Sequence, residues 1–254
     1  MTSFVVAGGS VINTVGHVNQ DRWAVGCGPQ GCWLIVSDGI SADSQSHAAA
    51  ELAVAVAVRS ISTSALLEGD ALQAVDLAAA AVAPSYQDSD GGCTLTIAAV
   101  TAHRATIVSV GDSPGFVAVK GRLERLTPPS RPGPLTSWIG STPQSQPVLW
   151  SKPLDPTDDL TLVVASDGLA LDGQLLPSSE LGYLVDWFLV NRRVPHGDDA
   201  TVTVATLRRE ASQEDQVTVT YAPSAQTLQE QGRSAGHGEE PVGQGTEQGR
   251  HERR

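Results

Sequence analysis

A chain of 254 residues is long enough to bury a sizeable core, as one large domain or two small ones. With 41% hydrophobic and 17% charged residues its composition is globular, and few aromatic residues leave Val, Leu, Ile and Ala to fill the core. The formal net charge of -12 argues against the basic surface that nucleic acid or an anionic membrane would require. We therefore expect a globular protein that binds neither.

The beginning of the chain and its cysteines indicate the cellular compartment. The segment MTSFVVAGGSV lacks the basic start and sustained apolar run of a secretory signal, and no apolar run reaches the ~18 to 20 residues of a membrane helix. Cys27, Cys32 and Cys93 have no metal-type spacing, and an odd number suits no closed set of disulfides. We expect reduced cysteines in a soluble, cytoplasmic monomer.

Eight segments along the chain have the apolar or alternating patterns of β-strands. Turn-forming residues at 102–104 and 120–121 indicate that two hairpins join some of these strands. The stretch 127–158 holds eight prolines and is predicted to be loop. In chain order the predicted strands are Phe4–Ala7, Arg22–Gly26, Cys32–Ser37, Thr94–Val100, Ala105–Val110, Phe116–Val119, Leu160–Ala165 and Thr201–Leu207.

Three segments are predicted to be helices. The first runs from His47 to about Ser62 and is rich in Ala, and the second, from about Leu66 to Ala83, ends before Pro84. The third, Ser178 to about Asn191, begins with a Ser cap and has Glu in its first turn. Hairpin-connected strands with helices in blocks indicate an α+β fold, in which two antiparallel sheets pack face to face and the helices lie outside.

The composition changes beyond about Arg209. The C-terminal part is rich in Gln, Gly and Glu, and it has too few large apolar residues to support a core. We predict a folded domain over residues 1–208 and a low-complexity, disordered tail over 209–254. Within the tail, EDQVTVTY (214–221) has the pattern of a short edge strand.

Four aspartates lie beside predicted strand ends. Asp21 and Asp198 precede strands, whereas Asp38 and Asp167 close the apolar segments LIVSDGI and LVVASDGLA. A single Asp-Gly is usually a turn, but four carboxylates that converge at one end of the sheets would repel one another. Divalent cations would relieve that repulsion, and oxygen ligands favour magnesium, manganese or calcium over zinc. Gly39 would let the backbone turn sharply and offer a carbonyl oxygen to a metal.

Six motifs follow one another along the chain. They are NQD (19–21), VSDGI (36–40) followed by HAAAELA (47–53), GGCTL (91–95), VGDSPGFV (110–117), VASDGLA (164–170) and DDAT (198–201). In this order they make the chain resemble the metal-dependent serine/threonine protein phosphatases, the PPM or type 2C family, in its bacterial form. The resemblance covers roughly residues 4 to 207 and implies a four-layer α-β-β-α sandwich with the metals at one edge of the paired sheets.

The resemblance implies a role for each aspartate. Asp38 would bridge two Mg²⁺ or Mn²⁺ ions with the Gly39 carbonyl on one of them, while Asp167 and Asp198 would hold the first metal. Asp21, helped by Gln20, would anchor water on the second, and Asp112 would brace a loop. Asp38, Asp167 and Asp198 would thus be the catalytic set. A water activated between metals ~3.5–4 Å apart would attack the phosphorus of phosphoserine or phosphothreonine in a protein substrate. A cognate serine/threonine kinase is a further expected partner.

Departures from the family pattern keep two other functions open. Gly16, beside His17, and Pro114 occupy positions where the family usually has arginine. The loss of a bidentate guanidinium would weaken phosphate binding. His47 could protonate the leaving oxygen, or it could simply start a helix. The alternatives are a pseudophosphatase that binds a phosphoprotein or partner without turnover, and an adaptor whose aspartates are only turn residues.

Overall fold

The structure is a computed structural model that describes residues 2–12, 18–40, 45–61, 68–86, 91–128, 135, 137–140, 146–155, 160–177, 180–194, 198–209 and 219–221. Three α-helices are present in this part of the chain: α1 (Ser46–Ile61), α2 (Glu68–Val82) and α3 (Leu181–Asn191). A 3-10 turn, Ala83–Tyr86, follows α2. The strands β1 to β13 are, in order, Thr2–Val11, Arg22–Gly28, Gly31–Ser37, Gly92–Cys93, Leu95–Thr101, Arg104–Val110, Gly115–Val119, Arg122–Arg125, Ile139–Gly140, Val148–Pro153, Leu160–Ala165, Ala200–Arg209 and Val219–Tyr221.

The strands form two large antiparallel sheets. The five-stranded sheet has the order β1-β12-β11-β7-β8, and the six-stranded sheet has the order β10-β6-β5-β3-β2-β13. The short strands β4 and β9 pair with each other. The α+β fold class and the four-layer α-β-β-α sandwich are confirmed.

Three hydrophobic clusters separate the four layers. One lies between α1, α2 and the six-stranded sheet, and its helix side consists largely of alanines such as Ala53 and Ala74. The second lies between the sheets, where Leu34 and Val36 meet Leu162 and Val164. The third lies between the five-stranded sheet and α3, which packs on β1 and β12. Because side chains alternate between the faces of a strand, each sheet serves two clusters at once.

All eight predicted strands are present, but the prediction of loop throughout 127–158 is wrong. β10 pairs with β6 along the edge of the six-stranded sheet, from Val148 opposite Ser109 to Pro153 opposite Arg104. An edge strand needs a partner on one side only, so it can include Pro153. Its side chains are mostly exposed or half-buried, and the sequence therefore lacks the apolar pattern of the central strands.

The helix predictions are confirmed for α1 and α2 within two residues at each end. The predicted start of α3 is wrong, because the helix begins at Leu181 and Glu180 is its N-cap rather than a residue of its first turn. The Glu180 side chain makes no capping hydrogen bond. The predicted cap, Ser178, lies outside the described residues.

The prediction of reduced cysteines is wrong for two of the three. Cys27 and Cys32 form a disulfide, whereas Cys93 is a buried free cysteine. β2 and β3 form a hairpin in which Cys27 lies directly opposite Cys32, and their Cα atoms are 4.1 Å apart. The number of cysteines in the sequence does not reveal that these two lie opposite each other in a hairpin.

The chain divides after Ala222, and all the described residues lie in the first unit, Met1–Ala222. Within EDQVTVTY, Val219–Tyr221 form β13 and pair with β2, as the edge-strand pattern predicted. The boundary at 208 stays a prediction, and the rest of the predicted tail lies outside the described residues. In the part of the chain that the structure covers, no helix is long and apolar enough to cross a membrane.

The α3 layer offers a test of the fold. Phe188 is fully buried against the five-stranded sheet, whereas Val190 on the same helix is 76% exposed. Phe188→Ala should lower the free energy of unfolding by about 3–5 kcal/mol, since it leaves a cavity. Val190→Ala, the matched control, should change it by less than about 0.5 kcal/mol. Urea unfolding of both variants measures this, and equal effects would contradict the placement of α3.

Candidate metal centre

The alternation of side chains along β2 and β3 directs two aspartates between the sheets. On β2, Trp23 and Val25 belong to the cluster between the sheets, so Asp21, two residues before Trp23, lies on the same side. On β3, Asp38 follows Leu34 and Val36 at the same two-residue spacing. Both aspartates are buried.

The five-stranded sheet contributes polar residues to the same end of the sandwich. Ser166 continues the inward-facing series of Leu162 and Val164 on β11. Thr201 and Asp199 continue the inward-facing series of Ala205 and Leu207 at the beginning of β12. Because β11 and β12 are antiparallel, the end of β11 lies beside the start of β12.

Asp21 has its carboxyl group enclosed by donors and by other acids. Its Oδ2 accepts a hydrogen bond from Ser166 Oγ at 2.7 Å, and Thr201 also contributes a side-chain hydrogen bond. Oδ1 is buried without a partner of regular geometry. Burial raises the pKa of Asp21 from 3.8 to about 7, and the nearby charge of Asp199 acts in the same direction.

Asp38 is held in place through its backbone by Thr94. The Asp38 N–H donates to Thr94 Oγ1 at 3.0 Å, and the Thr94 N–H donates to the Asp38 carbonyl oxygen at 2.8 Å. Burial raises the pKa of Asp38 well above its usual value, and the charges of Asp21, Asp167 and Asp198 raise it further. Asp38 is therefore the member of the set that interacts with the other three predicted ligands.

Asp167 is exposed in a turn. Partial burial of its carboxyl group still raises its pKa. The charges of Asp112 and Asp198 raise this pKa further, and Asp167 has a side-chain hydrogen bond with Asp38. Burial also raises the pKa of Asp112, while the Arg125 guanidinium opposes this shift. Asp112 therefore lies beside the cluster, and its predicted bracing role stays a prediction.

Two glycines allow the segments that carry the aspartates to approach. A Cβ atom on Gly168 would overlap the carbonyl oxygen of Asp199, and one on Gly39 would lie 2.8 Å from the carbonyl carbon of Ser46. The Gly39 N–H donates to the Gln20 carbonyl oxygen at 3.2 Å. A larger residue at Gly168 would push the end of β11 away from the start of β12, and one at Gly39 would push the Asp38 turn away from the start of α1.

Asp199 is a residue of the candidate site that the sequence motifs did not predict. In the DDAT motif the prediction selected Asp198, which is half-buried, yet Asp199 is 3% exposed. Asp199 Oδ2 accepts a hydrogen bond from the Gln20 N–H at 2.6 Å. The signal that could have found it is the two-residue spacing from Thr201 and Thr203, which places Asp199 on the inner face of β12.

The remaining predicted residues have different placements. His47 lies half-buried in the first turn of α1, and its proposed proton transfer stays a prediction. Pro114 is buried, and its carbonyl oxygen accepts a hydrogen bond from the Ala165 N–H at 3.0 Å. Gly16 and His17 lie outside the described residues.

The donor set fits divalent cations that prefer oxygen. Its members are carboxylates, and two buried oxygens, Gln20 Oε1 and Asp21 Oδ1, have no hydrogen-bond partner. Within the described residues, no three His, Cys, Asp or Glu side chains are already arranged to hold a metal ion. The charges of Asp21, Asp167 and Asp198 all raise the pKa of Asp38, and a bound cation would offset this negative charge.

Comparison with known proteins identifies the family. Residues 9–194 match the family model described as Protein phosphatase 2C, so the chain belongs to the protein phosphatase 2C family. It is therefore a member of a family of hydrolases that act on phosphoproteins. No curated protein sequence matches this chain.

Solved structures match the fold over nearly their whole length. The PPM Ser-Thr phosphatase MsPP from Mycobacterium smegmatis is 22% identical, with a TM-score of 0.63 over 79% of this chain and 97% of that one. PstP/Ppp from Mycobacterium tuberculosis is 20% identical, with a TM-score of 0.65 over 81% and 99%. RsbX, solved with magnesium, is 13% identical, with a TM-score of 0.61 over 81% and 96%. At these identities the comparison shows the fold.

The pKa of Asp21 predicts how the stability of the metal-free protein depends on pH. The folded protein retains a proton on Asp21 that the unfolded chain releases, because the pKa rises from 3.8 to about 7 on folding. The free energy of unfolding should therefore fall through this group as pH rises from about 4 to 7, by at most ~4 kcal/mol. Asp21→Asn cannot ionise, so its stability relative to wild type should increase across this interval.

Urea unfolding in the presence of a chelator at several pH values measures this difference. Asp186→Asn, on the exposed face of α3, is the matched control for the loss of a carboxyl group. A difference between Asp21→Asn and wild type that does not vary with pH would contradict the prediction.

Gly168 provides a steric test of the site. Gly168→Ala should lower the free energy of unfolding by about 1–3 kcal/mol, because the new methyl group overlaps the Asp199 carbonyl oxygen. Gly182→Ala in α3, where no atom lies within 4 Å, should be neutral or stabilising. Thermal unfolding compares the two, and a neutral Gly168→Ala would contradict the close approach.

Proposed function

We propose that the protein is a metal-dependent phosphoserine/phosphothreonine protein phosphatase that uses two Mg²⁺ or Mn²⁺ ions. The observation that supports this most strongly is the position of Asp38, whose carboxyl group interacts with those of Asp21, Asp167 and Asp198 at one end of the sandwich. Several carboxylates this close together raise the free energy of the folded protein unless protons or cations offset their charge. Membership of the protein phosphatase 2C family points to cations.

Each aspartate has a proposed role at the bound metals. Asp38 would contact both ions and Gly39 would offer its carbonyl oxygen, while Asp167 and Asp198 would hold the first ion and Asp21 would serve the second. When bound, the ions would lower the pKa of a water molecule and offset charge on the phosphoryl group. The chain itself orients these ligands, through Thr94 at the Asp38 backbone and through Ser166 at Asp21.

Relatives of similar fold support the choice of metals. The catalytic domain of PstP was solved in complex with two manganese ions, and RsbX was solved with magnesium. By this analogy the substrate is a phosphorylated protein, and a serine/threonine kinase would supply it. We also propose that the protein acts in cytoplasmic signalling as a monomer.

The second candidate is a pseudophosphatase that binds a phosphoprotein or partner without turnover. The observation that favours it is Pro114, which is buried and fills the position where the family usually has an arginine. Gly16 is the other such position. Without guanidinium groups at these two positions, phosphate would be held less tightly.

Hydrolysis of p-nitrophenyl phosphate in the presence of Mn²⁺ tests the proposal. Wild type should turn over only with metal, and Asp38→Asn should lose more than about 100-fold of its activity because it removes a shared ligand. Asp186→Asn, on the exposed face of α3, should keep wild-type activity.

Calorimetry with Mn²⁺ separates the alternatives. Metal binding without turnover by the wild type would favour the pseudophosphatase. A folded wild type that binds neither Mn²⁺ nor Mg²⁺ would favour an adaptor whose aspartates are turn residues, and it would overturn the proposed phosphatase.

A further inference from the structure

Asp199 is a buried carboxylate that bonds across the sandwich. It lies at the start of β12 in the five-stranded sheet and is 3% exposed. Its Oδ2 accepts the N–H of Gln20, which directly precedes Asp21 and β2 of the six-stranded sheet, at 2.6 Å. This hydrogen bond to a carboxylate therefore links the two sheets at the end where the aspartates gather.

The peptide groups of Gln20 are held from two directions. The Gln20 N–H donates to Asp199, and the Gln20 carbonyl oxygen accepts the Gly39 N–H at 3.2 Å. Gly39 is the residue after Asp38. The segment that carries Asp21 is thus clamped between the start of β12 and the Asp38–Gly39 turn.

The neighbouring aspartates of the DDAT motif face different parts of the cluster. The charge of Asp198 acts on Asp38 and Asp167, whereas the charge of Asp199 acts on Asp21. The backbone of Asp199 is itself held, since its N–H donates to Asp198 Oδ1 at 2.9 Å and its carbonyl oxygen accepts Ser166 Oγ at 3.4 Å. These bonds restrain the backbone of Asp199, so its carboxylate can hold the Gln20 N–H in one position.

We propose that Asp199 is a positioning residue for the metal centre: its hydrogen bond to the Gln20 N–H fixes Asp21 against Asp38 and Gly39, and so sets the affinity for divalent metal. This inference rests on the proposed function. It goes beyond the predicted ligand set, which assigned Asp198 and gave Asp199 no role. Partners that orient metal ligands typically change metal affinity by about 10–100-fold when they are removed.

Two substitutions distinguish the effect of where the Asp199 side-chain oxygen lies from the effect of its negative charge. Asp199→Asn keeps an oxygen acceptor at the same distance from the backbone but removes the charge. Asp199→Glu keeps the charge but moves the carboxylate by one methylene group. If the hydrogen bond positions Asp21, the Asn variant should bind Mn²⁺ within a few-fold of wild type, and the Glu variant should bind about 10–100-fold more weakly.

The measurement is calorimetric titration of the full-length protein with Mn²⁺, with Asp186→Asn and Asp186→Glu on the exposed face of α3 as matched controls. The Mn²⁺ concentration for half-maximal p-nitrophenyl phosphate hydrolysis should rise in the Glu variant, while kcat at saturating metal should largely recover. A purely structural role would lower stability without this shift in metal dependence. Circular dichroism confirms that each variant is folded.

The reverse order, with weak binding by Asp199→Asn and wild-type binding by Asp199→Glu, would overturn the inference in favour of a charge effect. Wild-type affinity in both variants would also overturn it, while leaving the proposed phosphatase intact. If the Glu variant does not fold, weak binding by the Asn variant alone suffices to overturn the inference. A wild type that binds no Mn²⁺ would overturn both proposals together.

Discussion

The crowding of carboxyl groups at one end of the sandwich, most of them removed from water, is the constraint on which the rest of the site depends. The raised pKa values of Asp21, Asp38 and Asp167 have burial as their largest cause, with neighbouring negative charge adding to it. The hydroxyl groups of Ser166 and Thr201 offset part of the cost at Asp21. The carboxyl oxygens are suited to divalent cations, which would offset the remaining negative charge.

The scaffold keeps these groups together by packing on both sides of each sheet. Alanine-rich faces of α1 and α2 lie close on the six-stranded sheet, and α3 covers the five-stranded sheet. With both sheets backed by helices, the strand ends that carry the aspartates have little freedom to separate. Gly168 and the Asp199–Gln20 hydrogen bond then bring the two sheets together at the site itself.

The guanidinium group of Arg125 provides a positive charge near the aspartate cluster. The chain has Pro114, not an arginine, in the VGDSPGFV motif. Arg125 extends from β8, where Nη1 lies 3.3 Å from Asp172 Oδ2 and Nη2 donates to the Asp112 carbonyl oxygen at 3.5 Å. It thus joins the turn after β6 to the segment after Asp167. Its positive charge also opposes the rise in the pKa of Asp112. The local electrostatics therefore depend on a residue that motif positions do not reveal.

The sequence by itself determined eight strands, the three helices and the α+β class, because alternation and helix periodicity are properties of neighbouring residues. It also indicated four aspartates at strand ends, and their order resembled one family. Only the tertiary structure decided that Cys27 lies opposite Cys32, that Val148–Pro153 finds an edge to pair with, and that Asp199 reaches Gln20. Each of these depends on which strands become neighbours and in what register, and the partners lie up to 179 residues apart in the chain.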